Sequence, residues 1–75
     1  MNRLAELGVG DHARVLHVHG DDEISLRLLE MGLTPGVEMH LVGTAPLGDP
    51  LEFEVRGYNL SLRKSEAARV EVEPL

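Results

Sequence analysis

The residues best suited to chemistry in this sequence are its histidines and one short run of carboxylates. His17 and His19 stand two apart in a Val-rich stretch, so on a β-strand both imidazoles project from the same face. Acidic residues 21–23 follow directly, and His40 belongs to a later segment. Imidazole with carboxylate suits Fe²⁺, Zn²⁺ or Ni²⁺. The spacing predicts a weak divalent-metal site at His17 and His19, and a pair of solvated strand histidines is the favoured alternative.

No combination of residues in the sequence indicates catalysis. The chain has no cysteine, no nucleophile-elbow motif and no Gly-x-x-x-x-Gly-Lys-Ser/Thr phosphate loop, so it is not expected to hydrolyse GTP itself. A domain of this size also has little room for a closed substrate pocket. The sequence therefore predicts a non-enzymatic protein that requires no cofactor.

Charge and composition narrow the classes of partner. The 75 residues include 7 Lys and Arg against 13 Asp and Glu, a net charge of −6. A nucleic-acid binder usually shows a basic patch, whereas only Arg63 and Lys64 are adjacent here, so nucleic acid is not expected. There is no charged-then-apolar leader and no apolar run near the ~18 residues of a membrane span. We expect a cytoplasmic protein without direct membrane insertion, and the absence of cysteine fits a reducing compartment.

One segment has the 3.6-residue period of a helix. Asp21 or Asp22 is predicted to cap it, and Gly32 is predicted to follow its end in a left-handed conformation that glycine adopts easily. The predicted apolar stripe consists of Ile24, Leu28, Leu29 and Met31.

Elsewhere the apolar period is two, which is typical of strands with one buried face. The first strand is predicted within residues 13–19, where both faces carry apolar groups and the register stays open. Residues 57–59 are predicted to form a tight turn, residues 65–68 a single helical turn, and residues 4–7 a short helical turn leading in. The inward residues of the later strands are predicted to be Val37, Met39 and Leu41; Leu51, Phe53 and Val55; Leu60 and Leu62; and Val70 and Val72.

These elements predict the fold class. Five short strands, one helix inserted after the first strand and a short helical turn before the last make a mainly β, SH3-like barrel. Closing the sheet hides edges that so small a chain would otherwise expose. We expect a single domain over residues 1–75.

The most unusual loop joins the second and third predicted strands. It reads Ala45-Pro46-Leu47-Gly48-Asp49-Pro50 and carries an apolar residue, Leu47, where a solvent loop is expected. Its two prolines lower the freedom of the loop before any partner arrives, so less entropy is lost on docking. Two interpretations are open. Either the loop offers a preformed apolar contact to a partner, or Leu47 plugs an open end of the barrel.

Two arginines complete the candidate partner-binding set. Arg27 lies beside the helix stripe, and Arg63 closes the fourth predicted strand next to Lys64. These cations suit an acidic patch or a nucleotide phosphate on a GTPase partner. The favoured alternative is that they pair with nearby glutamates on the surface, where such pairs contribute ~0–1 kcal/mol.

Four segments together resemble the FeoA family. They are residues 27–36 with the form RLxxMGLxPG, the loop 45–50, residues 58–67 reading YNLSLRKSEA, and residues 70–72. The resemblance covers residues 4–73 and implies an SH3-like accessory partner of the bacterial ferrous iron transporter FeoB, in its free-standing form. It further implies docking to the cytoplasmic part of the transporter, at the inner membrane, and modulation of its assembly or activity.

Two other functions stay open. One is a metal-responsive module that binds Fe²⁺ or Zn²⁺ through His17, His19 and nearby acids. The other is self-association through an exposed apolar patch. Metal titration and the dependence of oligomeric state on concentration separate them.

Overall fold

The alternating segments form one antiparallel sheet. The computed structural model describes residues 2–75. The six strands are β1 (Asn2–Arg3), β2 (His12–Val18), β3 (Glu38–Thr44), β4 (Leu51–Val55), β5 (Tyr58–Leu62) and β6 (Val70–Pro74), arranged in the order β1-β6-β2-β3-β4-β5. Helix α1 (Glu23–Glu30) lies between β2 and β3, helix α2 (Lys64–Ala67) lies between β5 and β6, and a 3-10 turn covers Leu4–Glu6.

Strand β1 was missed by the sequence prediction. Its two residues pair with Val72 and Glu71 of β6 and are too few to show an alternating pattern. The sheet curls around the core with β1 and β5 as its edges, and within residues 2–75 no ladder joins these two strands. The barrel is therefore SH3-like but incompletely closed.

The core is aliphatic around a single aromatic ring. Phe53 of β4 is fully buried, and the inward rows predicted for β3 and β4 are buried with it. Leu60 is only partly buried at the edge strand β5. The other buried apolar residues are Leu4, Ala13, Val15, Val18, Leu28, Leu33, Leu62, Ala67, Val70 and Val72.

Helix α1 ends as the sequence predicts. Gly32 has a φ of +100°, its N–H donates to Leu29 O at 3.0 Å, and the N–H of Leu33 donates to Leu28 O at 3.2 Å. This pair of bonds is the Schellman ending, which satisfies carbonyls that a helix terminus leaves free. Leu33 is consequently turned back into the core, where it is fully buried.

One part of the predicted helix stripe was wrong. Leu28 is fully buried, and Ile24 and Met31 pack against the core as half-buried residues. Leu29 does not widen that stripe, because 40% of it is exposed, and Leu26 is 58% exposed. The helix is short and lies at the rim of the barrel, so only one narrow face reaches the core.

The hairpin between β4 and β5 turns one residue earlier than predicted. Its two turn residues are Arg56 and Gly57, with φ of +50° and +84°. Positive φ at both positions defines the type I′ turn, whose twist matches that of paired strands. Tyr58 therefore belongs to β5, and its hydroxyl donates to Met31 O at 2.6 Å, which joins the hairpin to the end of α1.

Two β-bulges explain why both faces of the early strands carry apolar residues. In β2, Val15 pairs with Val72 but His17 pairs with Glu71, so Leu16 is an extra residue. A similar shift in β3 makes Val42 the extra residue opposite β4. Because a bulged residue leaves the ladder, Leu16 and Val42 are 44% and 42% exposed.

Candidate functional site

The loop between β3 and β4 holds its apolar residue out in solvent. The N–H of Gly48 donates to Ala45 O at 2.7 Å, and the N–H of Ala45 donates to Pro50 O at 3.0 Å. These bonds close a tight turn with Pro46 and Leu47 at its tip. Leu47 is 96% exposed. The interpretation in which Leu47 plugs the barrel is therefore wrong, because the side chain contacts no core.

The base of the same loop is tied to helix α2. Asp49 Oδ1 accepts the backbone N–H of Lys64, the first residue of α2, at 3.0 Å. Asp49, Pro50 and Arg63 line a shallow surface pocket of about 230 Å³. The fold thus brings Arg63 to the loop, as the candidate set requires. We call residues 45–50 together with Arg63 and Lys64 the loop surface.

Arg27 lies beside this surface but is already paired. Its guanidinium forms an ion pair with Glu66 Oε2, and Glu66 Oε1 accepts the backbone N–H of Arg63 at 2.9 Å. Glu66 is mostly buried, with 12% of its side chain exposed, whereas 57% of the Arg27 side chain is exposed. The surface-pair alternative holds for Arg27, and the pair fastens α1 to α2.

The loop surface combines an exposed apolar residue with positive charge. An apolar tip is flanked by two cations, Arg63 and Lys64, and the only carboxylate, Asp49, is engaged by the backbone of α2. No nucleophile, general base or metal ligand set accompanies them. The loop surface therefore presents an exposed apolar side chain beside two positive charges.

His17, in β2, and His19, just past the end of that strand at Val18, lie side by side. Their ring centroids are 4.5 Å apart and nearly perpendicular at 86°. His19 Nε2 lies 2.8 Å from Glu71 Oε1. This hydrogen bond, aided by the charges of His19, Arg3 and His17, lowers the pKa of the Glu71 carboxyl. The carboxylate beside the histidine pair comes from β6, and the sequence could not identify it because 52 residues separate the partners.

Of the acids 21–23 that the sequence associated with this pair, Asp22 has another role. Its Oδ1 accepts the N–H of Ser25 at 3.2 Å as the N-cap of α1, and Arg69 Nη1 lies 2.5 Å away. The Arg69 hydrogen bond, with the Ser25 N–H, lowers the pKa of Asp22 to about 2. Among residues 2–75 no group of three or more His, Asp or Glu side chains is placed to hold one metal ion. The His17 and His19 site stays a prediction.

A second histidine pair was not recognised in the sequence. His12 and His40 stack across β2 and β3, with centroids 4.0 Å apart and an interplanar angle of 10°. His40 Nδ1 is 3.8 Å from Glu54 Oε1 on β4. The pairing depends on the β2–β3 register, which the apolar pattern of residues 13–19 left open.

Helix α1 carries a second exposed apolar feature. Leu26 and Leu29 line a shallow groove of about 310 Å³ at the start of the helix. Its remaining wall is polar and mostly acidic, formed by Gly20, Asp21, Asp22, Glu23 and Ser25. Neither helix within residues 2–75 has the length and apolar character of a membrane span.

The curled sheet and the two short helices define a small SH3-like domain. Residues 2–74 match the FeoA domain family, and the chain belongs to that family. A curated relative, the Fe(2+) transport protein A/Fe(2+) transporter FeoB fusion protein of Porphyromonas gingivalis, is 44% identical over 71 residues. The match covers 95% of this chain and 8% of the fusion protein.

Solved structures agree with this assignment. Iron(II) transport protein A of Clostridium thermocellum matches with a TM-score of 0.92 and 38% identity, covering 99% of this chain and 46% of that one. The FeoA of Stenotrophomonas maltophilia, complexed with zinc and described as a prokaryotic SH3 domain protein, matches with a TM-score of 0.85 and 38% identity. That match covers 97% of this chain and 91% of its counterpart.

The comparisons confirm the family and the SH3-like fold that the sequence predicted. They also link the chain to ferrous iron transport and to a family of accessory domains rather than enzymes. The partner-binding residues and the metal ligands remain predictions that rest on geometry.

Proposed function

We propose that this protein docks to the cytoplasmic part of the ferrous iron transporter through the loop surface and modulates the transporter's assembly or activity. The observation that carries the proposal is Leu47, a large apolar side chain that is 96% exposed on a loop tied at both ends. A relative in which the same domain is joined to FeoB supports the choice of partner. Covalent joining gives two interacting modules a high effective concentration.

The structure of the loop favours docking on energetic grounds. Burying one leucine side chain stabilises a complex by roughly 2 kcal/mol. The prolines and the bond from Lys64 N–H to Asp49 hold the loop in one shape, so little of this gain is lost to ordering. A change in the partner's behaviour further requires that the domain bind one state of the transporter more tightly than another.

Location follows from the same proposal. The protein would work in the cytoplasm and would be held at the inner membrane by its partner rather than by insertion. The proposed contacts use protein side chains, so we expect the docking itself to need neither a resident metal nor nucleic acid.

A pull-down tests the docking proposal. The cytoplasmic domain of the transporter is immobilised with and without GTP analogues, and retention of the wild-type protein is compared with that of Leu47→Asp. We expect Leu47→Asp to bind at least about tenfold more weakly, because a charge replaces the apolar anchor. Arg63→Glu is expected to weaken retention in the same direction.

The matched control is Val9→Asp, which makes the same kind of change at a residue that is 63% exposed outside the loop surface. It is expected to be retained like the wild type. Lack of wild-type retention in every nucleotide state would contradict the proposal, and equal retention of Leu47→Asp would exclude the loop surface.

The zinc complex of the S. maltophilia protein supports a second proposal, that this chain also binds a divalent ion. His17 and His19 are the ligands the sequence predicts, and they remain adjacent in the fold. Calorimetric titration with Zn²⁺ or anaerobic Fe²⁺ tests this. An unchanged signal in the His17→Ala, His19→Ala double variant would exclude that pair as the site.

A further inference from the structure

Strand β5 has one edge without a partner strand. It is the last strand of the sheet and pairs with β4 alone. Hydrogen bonds between Val55 and Tyr58 close the type I′ turn, and bonded pairs alternate along an antiparallel ladder. The N–H and C=O groups of Asn59 and Ser61 therefore point away from β4. Within residues 2–75, no hydrogen bond outside the β4 ladder engages the backbone of β5.

The two edges of the sheet differ in their protection. Protein edges are usually blunted by short strands, charged residues, proline or a bulge. Strand β1 is two residues long and contains Arg3. Strand β5 is five residues long, reads Tyr-Asn-Leu-Ser-Leu, and pairs with β4 without a shift in register. Asn59 and Ser61 are also exposed, so the β5 edge is open to the addition of a further strand.

Positive charge flanks this edge in an otherwise acidic chain. Residues 55–65 contain three cations, Arg56, Arg63 and Lys64, and no Asp or Glu, whereas the whole chain has a net charge of −6. Within the described residues, none of the three forms an ion pair. The glutamates of β4 would be two strand spacings, about 9.6 Å, from an added strand, which exceeds the Debye length of about 8 Å at physiological salt. The charges beside the edge therefore favour an acidic segment.

The inner face of β5 favours apolar residues in the same segment. Leu60 packs against the core but is only partly buried, whereas Leu62 is buried. Because successive side chains of a strand face opposite sides, an apolar residue of an added strand would cover Leu60 while its neighbours face solvent. Strand β4, which reads Leu-Glu-Phe-Glu-Val, already pairs with the other edge of β5 in this pattern.

We propose that the free edge of β5 binds an extended protein segment in which acidic and apolar residues alternate, by adding it to the sheet as a further strand. Main-chain hydrogen bonds to Asn59 and Ser61 supply the attachment, as in other cases of strand addition. A second copy of this chain fits less well, because antiparallel pairing of two β5 strands sets Arg56 of one copy against Arg63 and Lys64 of the other. The edge borders the loop surface, but the backbone of β5 makes the contact, so the inference does not rest on the docking proposal.

Hydrogen-exchange NMR of the full chain tests the edge with a defined probe. The probe is a capped peptide that copies residues 51–55, with one glycine added at each end. We expect excess peptide to slow exchange of the Asn59 and Ser61 N–H groups by at least about tenfold, because they become bonded. The Leu60 N–H already faces β4 and should change less. The same peptide with lysine in place of both glutamates should bind at least about tenfold more weakly.

Ser61→Pro removes one donor at the edge and leaves the β4 ladder intact, because the Ser61 N–H does not face β4. It should abolish peptide binding, whereas Ser61→Ala, the matched control that keeps the backbone donor, should bind like the wild type. Thermal melts verify that both variants are folded. If Ser61→Pro does not fold, N-methylation of the two peptide glutamates repeats the test, because residues placed opposite Asn59 and Ser61 direct their N–H groups toward β5.

The inference is overturned if excess peptide leaves the exchange of Asn59 and Ser61 unchanged, or if the N-methylated peptide binds equally well. Protection that appears without peptide and rises with protein concentration would also overturn it, in favour of pairing between copies. The probe is a peptide and not the transporter, so failure here leaves the docking proposal standing.

Discussion

Asp22 lies at a hydrogen-bonded junction of three segments of the chain. Its Oδ1 caps α1 at the N–H of Ser25 and pairs with Arg69, which precedes β6. Ser25 is the one buried polar residue described, and its Oγ donates to His19 O at 2.7 Å. The end of β2, the start of α1 and the approach to β6 are therefore held by one hydrogen-bonded junction.

Acid is expected to weaken this junction in a defined window. The pKa of Asp22 is lowered from 3.8 to about 2, so the folded state favours the ionised carboxyl. Its stabilisation is present above pH 3.8 and is lost as the pH falls toward 2. Melting temperatures of wild type and Asp22→Asn should therefore differ at about pH 5 and converge on acidification. Asp21→Asn, with the same charge change and no cap to lose, should show a smaller difference. A gap that stays constant with pH would contradict this account.

Gly20 is required at the same junction for two reasons. Its φ is +99°, and a Cβ there would lie 2.6 Å from Ser25 Oγ and 3.0 Å from Arg69 Nη1. We expect Gly20→Ala to destabilise the fold by about 2–3 kcal/mol in denaturant unfolding. Gly36 has a φ of +95° but open space around it, so Gly36→Ala should show the backbone strain alone, about 1 kcal/mol. Equal losses in the two variants would rule out the steric part.

Among the secondary-structure elements, the β4–β5 hairpin has an unfavourable residue in its turn. Arg56 is the one non-glycine residue described with a positive φ, +50°, in a turn that prefers Asn-Gly. Arg56→Asn should stabilise the domain by about 0.5–1 kcal/mol, because asparagine tolerates the left-handed region. Chemical denaturation measures it, and Arg56→Val should destabilise. A loss of stability in Arg56→Asn would show that the arginine side chain makes a compensating contact.

The elements also show what sequence could and could not predict. Helix α1 was predicted with its cap and Schellman ending because those signals lie within a few residues of one another. The exposed loop was found through its prolines and Leu47. The bond from Asp49 to Lys64, the ion pair of Arg27 with Glu66 and the stack of His12 on His40 could not be predicted, because each joins residues far apart in the sequence. These contacts depend on how the segments pack together, which local patterns do not show.

At the scale of the whole molecule, the small size of the core limits the free energy of unfolding. A domain of 75 residues is stable by about 4–11 kcal/mol, and its one buried aromatic ring is Phe53. Phe53→Ala should lower the free energy of unfolding by about 3–5 kcal/mol and leave much of the protein unfolded near 37 °C. Circular dichroism melts would show it.

Leu47→Asp should have the opposite outcome to Phe53→Ala, because Leu47 lies outside the core. Its side chain is 96% exposed, so the change should alter the free energy of unfolding by less than about 0.5 kcal/mol. A large loss of stability would mean that Leu47 contacts the barrel after all. An unchanged melt makes any loss of partner binding a property of the loop surface.

The bulge in β2 has a consequence for how this domain can vary between species. Leu16 is the residue without a ladder partner, so its deletion leaves Val15 and Val18 inward and His17 outward. Deleting Val15 or His17 would have the same effect on the pattern, because Leu16 would take the vacated inward or outward place. Shortening the strand by one residue within positions 15–17 should therefore remove the bulge without reversing the faces of the strand, and relatives with a shorter strand are expected to lack the bulge.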